Sequence, residues 1–544
     1  MQQIKDLLGA LSFATVEESG KTITATLPKE TLHETAQKLR NMQGIPVDFL
    51  IDLIGIDHGD SLGVSYYLSS TQFPAYIIVL KTSTDDRENP LLDSVADLWD
   101  VAGVLEREVY DYFGIRFVNH PDMRHLFLRT DWNGYPLRKD YDASPEKNPI
   151  PLEYDSFDRM EDSVTINMEM GKPVELHKPL FGEQEYVVNF GPQHPSMHGV
   201  LHLRVSLDGE EVKKIDPNFG YIHRGIEKMC ETYTYPQILH LTDRLDYLSG
   251  TINRHAFALC CESALELEVP ERAHYIRTIF DELTRIASHL LGWGCMAMDM
   301  GSITAFVYGM RDREKIMDIF EETAGGRLMV NYATIGGVAN DIHPNFQKKI
   351  KEFILYMRKM LKEHHILFTG NPIAKDRMMG VGKLSKEKSI SLGATGPSGR
   401  ASGWSNDIRK IEPYAAYRHV QFNEVIRQDG ETFDRYIIRL DEIEESLRII
   451  EQLVDNIPDG AYAAKTKAII RLPEGEFFQR VEGARGEFDV YINSKGDKNP
   501  YRVKFRSPSM MLANSLDYIA TGHKVADLVM IGGSLDYVIP CIDR

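Results

Sequence analysis

The stretch that most constrains this chain is 189–199, Asn189-Phe190-Gly191-Pro192-Gln193-His194-Pro195-Ser196-Met197-His198-Gly199. Two prolines and two glycines in so short a run exclude regular helix or strand, because proline lacks an amide donor and glycine gives the backbone extra freedom. On either side, Glu185-Tyr186-Val187-Val188 and Val200-Leu201-His202-Leu203-Arg204-Val205 alternate as strands do. A β-hairpin carrying the histidines in its turn region is the simplest reading. His194 and His198 stand at i, i+4, the spacing of a metal-binding helix, but Pro195 and Gly199 break such a helix. The alternative for the pair is a surface hairpin with a polar tip.

A chain of 544 residues with 43% hydrophobic residues can bury a large core and is expected to form more than one domain. Its formal net charge of −18 disfavours nucleic acid, whose phosphates demand a basic footprint. The cysteines Cys230, Cys260, Cys261, Cys295 and Cys541 contain no C-x-x-C pair, which suits a reducing cytoplasm and signals no metal cluster. No apolar run approaches the ~20 residues of a bilayer-spanning helix. The first residues, Met1 to Asp6, lack a signal peptide's basic and apolar regions, so membrane contact is expected to be peripheral.

Along the chain, 1–141 reads as a small α/β domain. Thr22 to Leu27, Val64 to Leu68 and Ala75 to Leu80 have strand patterns, and 29–40 has a helical one. The end of this region is irregular and charged, through Glu106 to Ile115, Asn119 to Arg124 and Asn133 to Tyr141, as segments that dock often are. Prolines among acidic residues make 142–182 an expected extended linker or an arm lying on a neighbour. The remainder, 183–544, is expected to be mainly helical with β-hairpins, giving an α+β chain. Ile276, Phe280, Leu283, Ala287 and Leu290 recur at helical spacing after Pro270, and 312–324, 344–365 and 432–454 repeat the pattern. The glycine-rich run 393–403 departs from G-x-G-x-x-G, so a tight buried turn is preferred to an anion cradle. Gly486 to Ile492 and Tyr501 to Phe505 read as a hairpin.

Proton chemistry is what the remaining polar clusters could support. They are the hairpin histidines, Tyr221-Ile222-His223-Arg224-Gly225-Ile226-Glu227-Lys228, Asp243-Arg244-Leu245-Asp246-Tyr247, and the helix bearing Glu282, Arg285 and His289 that leads to Asp299. There is no G-x-S-x-G, H-E-x-x-H or nucleotide fingerprint to support hydrolysis or autonomous hydride transfer. A histidine and a tyrosine phenol can each hydrogen-bond a carbonyl oxygen and deliver a proton, provided a carboxylate orients the imidazole. Asp299 is a candidate for that carboxylate. Glu282, Arg285 and His289, at i, i+3 and i+7, also suit a structural polar seam between helices.

These motifs resemble the quinone-site (D-type) subunit of bacterial NADH:quinone oxidoreductase, respiratory complex I. The resemblance is carried by Gly191 to Gly199, His223 to Lys228, Asp243 to Tyr247 and the final Val538-Ile539-Pro540-Cys541-Ile542-Asp543-Arg544. Upstream, Glu106 to Ile115 and Gly134 to Tyr141 resemble the C-type subunit of the same complex, so the chain looks like a C/D fusion. The resemblance implies that His198 and Tyr247 face a quinone headgroup, with His194 nearby, and that Asp299 partners His198. It implies that Arg224 lies against the terminal [4Fe-4S] cluster of the adjoining subunit. Where many members place a histidine beside that cluster, this chain has Arg327-Leu328-Met329. No cofactor is expected on this chain itself; FMN and NADH belong to other subunits. Expected partners are the B-type subunit that carries the terminal cluster, the I-type subunit, the H-type membrane subunit and quinone, at the cytoplasmic face of the bacterial inner membrane.

That family also resembles the large subunit of membrane-bound nickel–iron hydrogenases, which is the alternative reading of fold and function. A nickel–iron site needs four thiolates from two C-x-x-C pairs, and this chain has neither pair. A non-catalytic scaffold would suit the docking segments but leaves the histidine hairpin and Tyr247 without a role.

Overall fold

A computed structural model of the chain describes residues 2–9, 15–144, 146–147, 162–193 and 199–544. It contains both helices and sheets and divides into two units. The first comprises 1–188, 218–221 and 390–393, and the second 189–217, 222–389 and 394–544.

In the first unit, α1 (Gln2–Gly9), β1 (Thr15–Ser19), β2 (Thr22–Thr26), α2 (Leu32–Arg40), β3 (Phe49–Asp57), β4 (Leu62–Ser69) and β5 (Ile77–Thr84) follow in order. The sheet runs β1-β2-β5-β4-β3, with β2 and β5 parallel and the other pairs antiparallel. A parallel pair needs a long crossover, supplied here by α2 and the β3–β4 hairpin. Although β3 is an edge strand, all of its residues are buried. Gly55 explains part of this: a Cβ there would lie 2.5 Å from Phe113 Cδ2, so α3 (Ala102–Phe113) rests on the strand.

The charged stretch on α3 docks onto the unit's own loops. Buried Asp111 accepts the amides of Leu126, Phe127 and Leu128 at 3.0, 2.6 and 3.1 Å, and its other oxygen is 2.6 Å from His125 Nδ1. Arg107 donates to the carbonyls of Arg124 and His125, and Arg138 to that of Phe113. A short parallel pair, β6 (Leu91–Asp93) with β7 (Arg116–Val118), flanks the helix.

The expected linker over 142–182 is not extended throughout. Its second half is an antiparallel hairpin of β8 (Asp162–Glu169) and β9 (Lys172–Pro179), turning at Met170 and Gly171, whose φ values of 51° and 77° are left-handed. Val164 and Ile166 alternate inward, and their carbonyls accept the amides of Met123 and Asn119. Two inward residues suffice because the hairpin borrows the domain's core, a signal too short to stand out among the prolines.

Next in the chain is a sheet ordered β10-β11-β12, formed by β10 (Tyr186–Phe190), β11 (His202–Asp208) and β12 (Glu211–Asn218). The expected strands on either side of the histidine loop are thus neighbours, and Asn189 Oδ1 is 3.1 Å from His202 Nε2. Helices follow: α4 (Ile226–Cys230), α5 (Tyr235–Thr242), α6 (Gly250–Ala264), α7 (Glu271–Asp299) and α8 (Ile303–Ala324). A two-residue ladder, β13 (Ala333–Thr334) and β14 (Gly337–Val338), precedes α9 (Phe346–His364). Next come the short helices α10 (Pro372–Met378), α11 (Lys386–Ser391), α12 (Gly396–Ala401) and α13 (Ile408–Ile411), then α14 (Thr432–Val454). The chain continues through β15 (Gly475–Glu482), β16 (Glu487–Ser494) and β17 (Arg502–Arg506) to α15 (Pro508–Asn514), α16 (Leu516–Ala520), α17 (Val525–Leu535) and α18 (Ile539–Ile542).

At the centre is α7, whose expected apolar face is buried together with most of its polar residues. Helices α8 and α14 and the segment 415–419 pack around it, so no side is left for water over its middle turns. Phe280 stacks on Phe320, Tyr332 and Phe346 with centroids 5.0, 4.3 and 5.8 Å away, tying α7 to α8 and α9. Helix α6 packs on the β15-β16-β17 sheet, Phe257 lying 6.3 Å from Phe505. The expected hairpin near the end is β16–β17, with β15 as a third strand.

Candidate functional site

His194 and His198 lie outside the described residues. The other candidates are described. Tyr247 sits half-buried in the turn between α5 and α6, and the turn has a rigid foundation. Asp246 accepts the Leu248 amide at 3.0 Å and Arg485 Nη1 at 2.9 Å. The Arg485 guanidinium also donates to Ser288 Oγ on α7 at 3.0 Å and to the Asp536 carbonyl at 2.6 Å. A planar guanidinium with this many acceptors cannot rotate without losing several bonds, so it fixes the residue before Tyr247 against three other segments.

Arg485 is held in turn by the glycine-rich run. It lies in the tight turn between β15 and β16, where the Gly483 amide donates to the Gly486 carbonyl at 2.8 Å. That turn rests on α12: a Cβ at Gly396, whose φ is 68°, would fall 2.3 Å from Gly486 Cα. Thr395 Oγ1 accepts the Glu487 amide at 3.0 Å. Where a buried turn between helices was expected, 393–403 contains a short buried helix on which the arginine turn is seated.

Asp299 closes α7 and is partly exposed. Through Arg485, which bonds both Asp246 and Ser288, the turn bearing Tyr247 is tied to α7, the helix that ends at Asp299. Burial raises the Tyr247 phenol, partly offset by Arg485, while Asp246 and Asp536 raise it further. It is therefore a protonated donor near neutral pH. Tyr537 also feels the Asp299 charge, on top of a burial that raises its phenol strongly.

Arg224 is exposed, whereas residues on either side of it are tied to the end of the chain. His223 Nδ1 is 2.9 Å from the Asp543 carbonyl, and buried Glu227 accepts Arg502 Nη1 at 2.6 Å and Arg544 Nε at 2.9 Å. Burial would raise the Glu227 carboxyl, but Arg502 and Arg544 bring it down to about 2. Gly225, with φ at 64°, makes the reversal that sends Arg224 outward. Met329 is partly exposed in a loop anchored at both ends. Arg327 pairs with Glu314, Asp318 and Glu321 of α8, and Asn331 Oδ1 accepts Arg254 Nη1 at 3.0 Å.

Glu282, Arg285 and His289 are deep inside. Glu282 accepts Tyr417 Oη and Ser446 Oγ at 2.6 Å each and Arg409 at 3.0 Å; His289 Nε2 is 2.9 Å from Glu442. Sequence reasoning missed Arg485, Asp536 and Cys295. Only the glycines around Arg485 could have drawn attention to it. Among the described residues, no group of three or more His, Cys, Asp or Glu side chains has a metal-holding arrangement, and no helix is long and apolar enough to cross a membrane.

Comparison with known proteins covers both units. Residues 25–147 match the family described as respiratory-chain NADH dehydrogenase, 30 Kd subunit, and 299–472 and 465–544 match the 49 Kd subunit family. The C/D subunit of NADH-quinone oxidoreductase from Phocaeicola vulgatus is 56% identical over 520 residues, covering 95% of this chain and 99% of that protein. Its counterpart in Bacteroides thetaiotaomicron is 55% identical over 526 residues, 94% of this chain and 98% of that protein. The D-type subunit from Desulforamulus reducens is 45% identical over 360 residues, 66% of this chain and 98% of that protein. A match of this extent, spanning the 30 Kd and 49 Kd families in one polypeptide, shows that the chain belongs to the family of C/D subunits of NADH-quinone oxidoreductase.

Proposed function

We propose that this chain is a peripheral-arm subunit of respiratory complex I and forms the quinone-reduction site with the cluster-bearing B-type subunit. It thereby couples NADH oxidation to quinone reduction and proton translocation. The observation that carries the site assignment is a half-buried Tyr247 on a turn that Arg485 locks to α7, the helix that ends at Asp299. In this reading Tyr247 and His198 hydrogen-bond a quinone carbonyl oxygen and supply protons, His194 lines the pocket, and Asp299 orients the His198 imidazole and stabilises its protonated form. Preorganised donors matter because charge builds on the quinone in a site of low dielectric. Electrons come from a [4Fe-4S] cluster in the B-type subunit, which Arg224 faces, while FMN and NADH are bound by other subunits. The chain itself holds no cofactor.

The domain division of the proposal is a C-type docking domain over 1–141, a connecting segment over 142–182, and over 183–544 a D-type domain related to the nickel–iron hydrogenase large subunit. The I-type subunit and the H-type membrane subunit complete the surroundings, at the cytoplasmic face of the bacterial inner membrane. Hydrogenase activity is disfavoured by ligand chemistry: the five cysteines include no C-x-x-C pair to bridge two metals.

The test uses membranes containing the assembled complex. Tyr247→Phe should cut quinone reduction by roughly 100-fold or more, while NADH oxidation with an artificial acceptor stays near normal. Asp299→Asn should act in the same direction through a misoriented imidazole. Wild-type quinone reduction by both assembled variants would place the site elsewhere.

A further inference from the structure

A polar seam runs along α7 through Glu282, Arg285, His289, Gly292, Cys295 and Asp299, all within the second unit. From Glu282 to Asp299 it spans roughly 25 Å of helix. Its far end opens on a cavity of about 730 Å³ lined by Arg409, Lys410, Tyr417, Arg418 and Phe422, among others. Tyr417 and Arg409 line this cavity and also bond Glu282, so they connect the surface to the seam.

The facing helix α14 supplies matching rungs. Ser446 donates to Glu282 at 2.6 Å, and Glu442, one turn earlier, is 2.9 Å from His289 Nε2. Arg400 spans Glu442 and Glu482 at 2.8 and 2.7 Å. At the next rung, Gly292 lies against Asp536, whose Oδ1 would be 3.0 Å from a Cβ there. Asp536 and Arg439 stand 3.7 Å apart, and Asp536 bonds Arg485, which bonds Asp246 beneath Tyr247. His289 Nδ1, Arg439 Nε and Asp536 Oδ2 are buried and find no hydrogen-bond partner among the described residues. Three unsatisfied polar atoms along one seam suit internal water, the usual partner of such groups.

We propose that this seam is a proton route, carrying protons from the surface cavity at Tyr417 and Arg409 to the quinone site at Tyr247. The inference rests on the site reading above. Reducing a quinone to its quinol takes two electrons and two protons. NADH oxidation supplies the electrons, and each new O–H bond takes a proton from a donor that must be reloaded from the aqueous side. Tyr247 is that donor here, and Arg485, Asp246 and Asp536 are the charged groups around it.

The carriers are His289 and Glu482; Glu282, which Arg285 and Arg409 hold at about 2 against burial, stays ionised and orients the Tyr417 hydroxyl at the mouth, and the arginines stay protonated. His289 is faced by Glu442, Arg439 and Arg285, and burial lowers its imidazole, which favours the neutral form, so a proton would pass through it without resting there. Glu482 is faced by Arg400, Asp407, Arg409 and Arg285. Burial pushes it up to about 7 against the pull of Arg400, so it can load and unload near neutral pH.

The experiment measures quinone reduction in membranes holding the assembled complex, in H2O and D2O, across pH 6 to 8. His289→Gln keeps a donor for Glu442 but cannot relay, and Tyr417→Phe removes only the hydroxyl at the mouth. The route predicts a fall of roughly tenfold for His289→Gln and a smaller one for Tyr417→Phe, each with a larger solvent isotope effect. The loss should deepen toward pH 8, and KM for quinone should stay unchanged. Wild-type rates and isotope effects in both variants, or slower rates without an isotope change, would overturn the route. Tyr247→Phe run alongside separates the two readings. If it abolishes quinone reduction while the seam variants behave as wild type, the route fails and the site stands; if it is active, the site fails and the route loses its endpoint.

Discussion

Buried charges in this protein are set by their partners, and Asp57 shows how far that goes in the first unit. Burial would raise its carboxyl, yet Arg87 Nη1 at 2.6 Å and the amides of Lys139 and Gly59, each at 2.8 Å, hold it at about 2. A folded-state pKa below the unfolded 3.8 means stability that is present above pH 3.8 and lost as pH falls through about 2. Asp57→Asn should therefore cost about 1–2 kcal/mol at pH 7, after allowance for solvent screening. The gap should narrow as pH is lowered from 5 toward 2. Hydrogen exchange of the β3 amides in the full chain measures it, and a gap independent of pH would show that the ionised carboxylate contributes nothing. Asp111 has no arginine, and the three amides it accepts make a buried helix position the anchor of a loop.

At the scale of elements, periodicity identified α7 and α14 well and the short elements poorly. Thr432–Val454 has the bounds its apolar spacing predicts, and α9 ends within a residue of its expected limit before a π-helical turn, His365–Thr369. By contrast, β15 and the β8–β9 hairpin escaped notice: each pairs with its neighbour in sequence, but their burial shows little of the alternation that marks a strand. The seat of α12 under the β15–β16 turn is also a tertiary matter, and it makes a sharp prediction. Gly396→Ala puts a methyl into Gly486 at a left-handed backbone position, so the full chain should lose more than about 2 kcal/mol. Because Arg485 rides on that turn, quinone reduction in the complex should fall as well. Thermal unfolding and activity report these two effects separately, and an unchanged melting temperature would mean the turn can move aside at no cost.

For the whole molecule, one polypeptide matches both the 30 Kd and the 49 Kd subunit families, so the two parts are present in a ratio of one to one. The site that emerges belongs to an assembly, and one residue lets that be probed from outside. Met329 cannot titrate, whereas a histidine at its place would couple the electron affinity of a nearby cluster to protonation. In the assembled complex, Met329→His should make the potential of the terminal cluster fall more steeply as pH rises, because the protonated imidazole favours the added electron. Redox titration monitored by electron paramagnetic resonance from pH 6 to 8 compares the two. Equal slopes would remove Met329 from the cluster's surroundings.

By itself, the sequence determined the long helices, the strands flanking the histidine loop, and the motifs that mark Arg224, Tyr247 and Asp299. Each of these is written in local spacing: a 3.6-residue apolar repeat, a two-residue alternation, or a run of ordered residues. It also determined what chemistry is absent from the motifs, since nucleophile and C-x-x-C patterns are local too. Tertiary structure decided which polar residues meet. Asp246 and Arg485 are 239 positions apart and Glu282 and Ser446 are 164 apart, and no periodicity links them. Their pairing comes from the cost of leaving a charge buried and unpaired, which the folded chain meets by bringing distant partners to 3 Å or less.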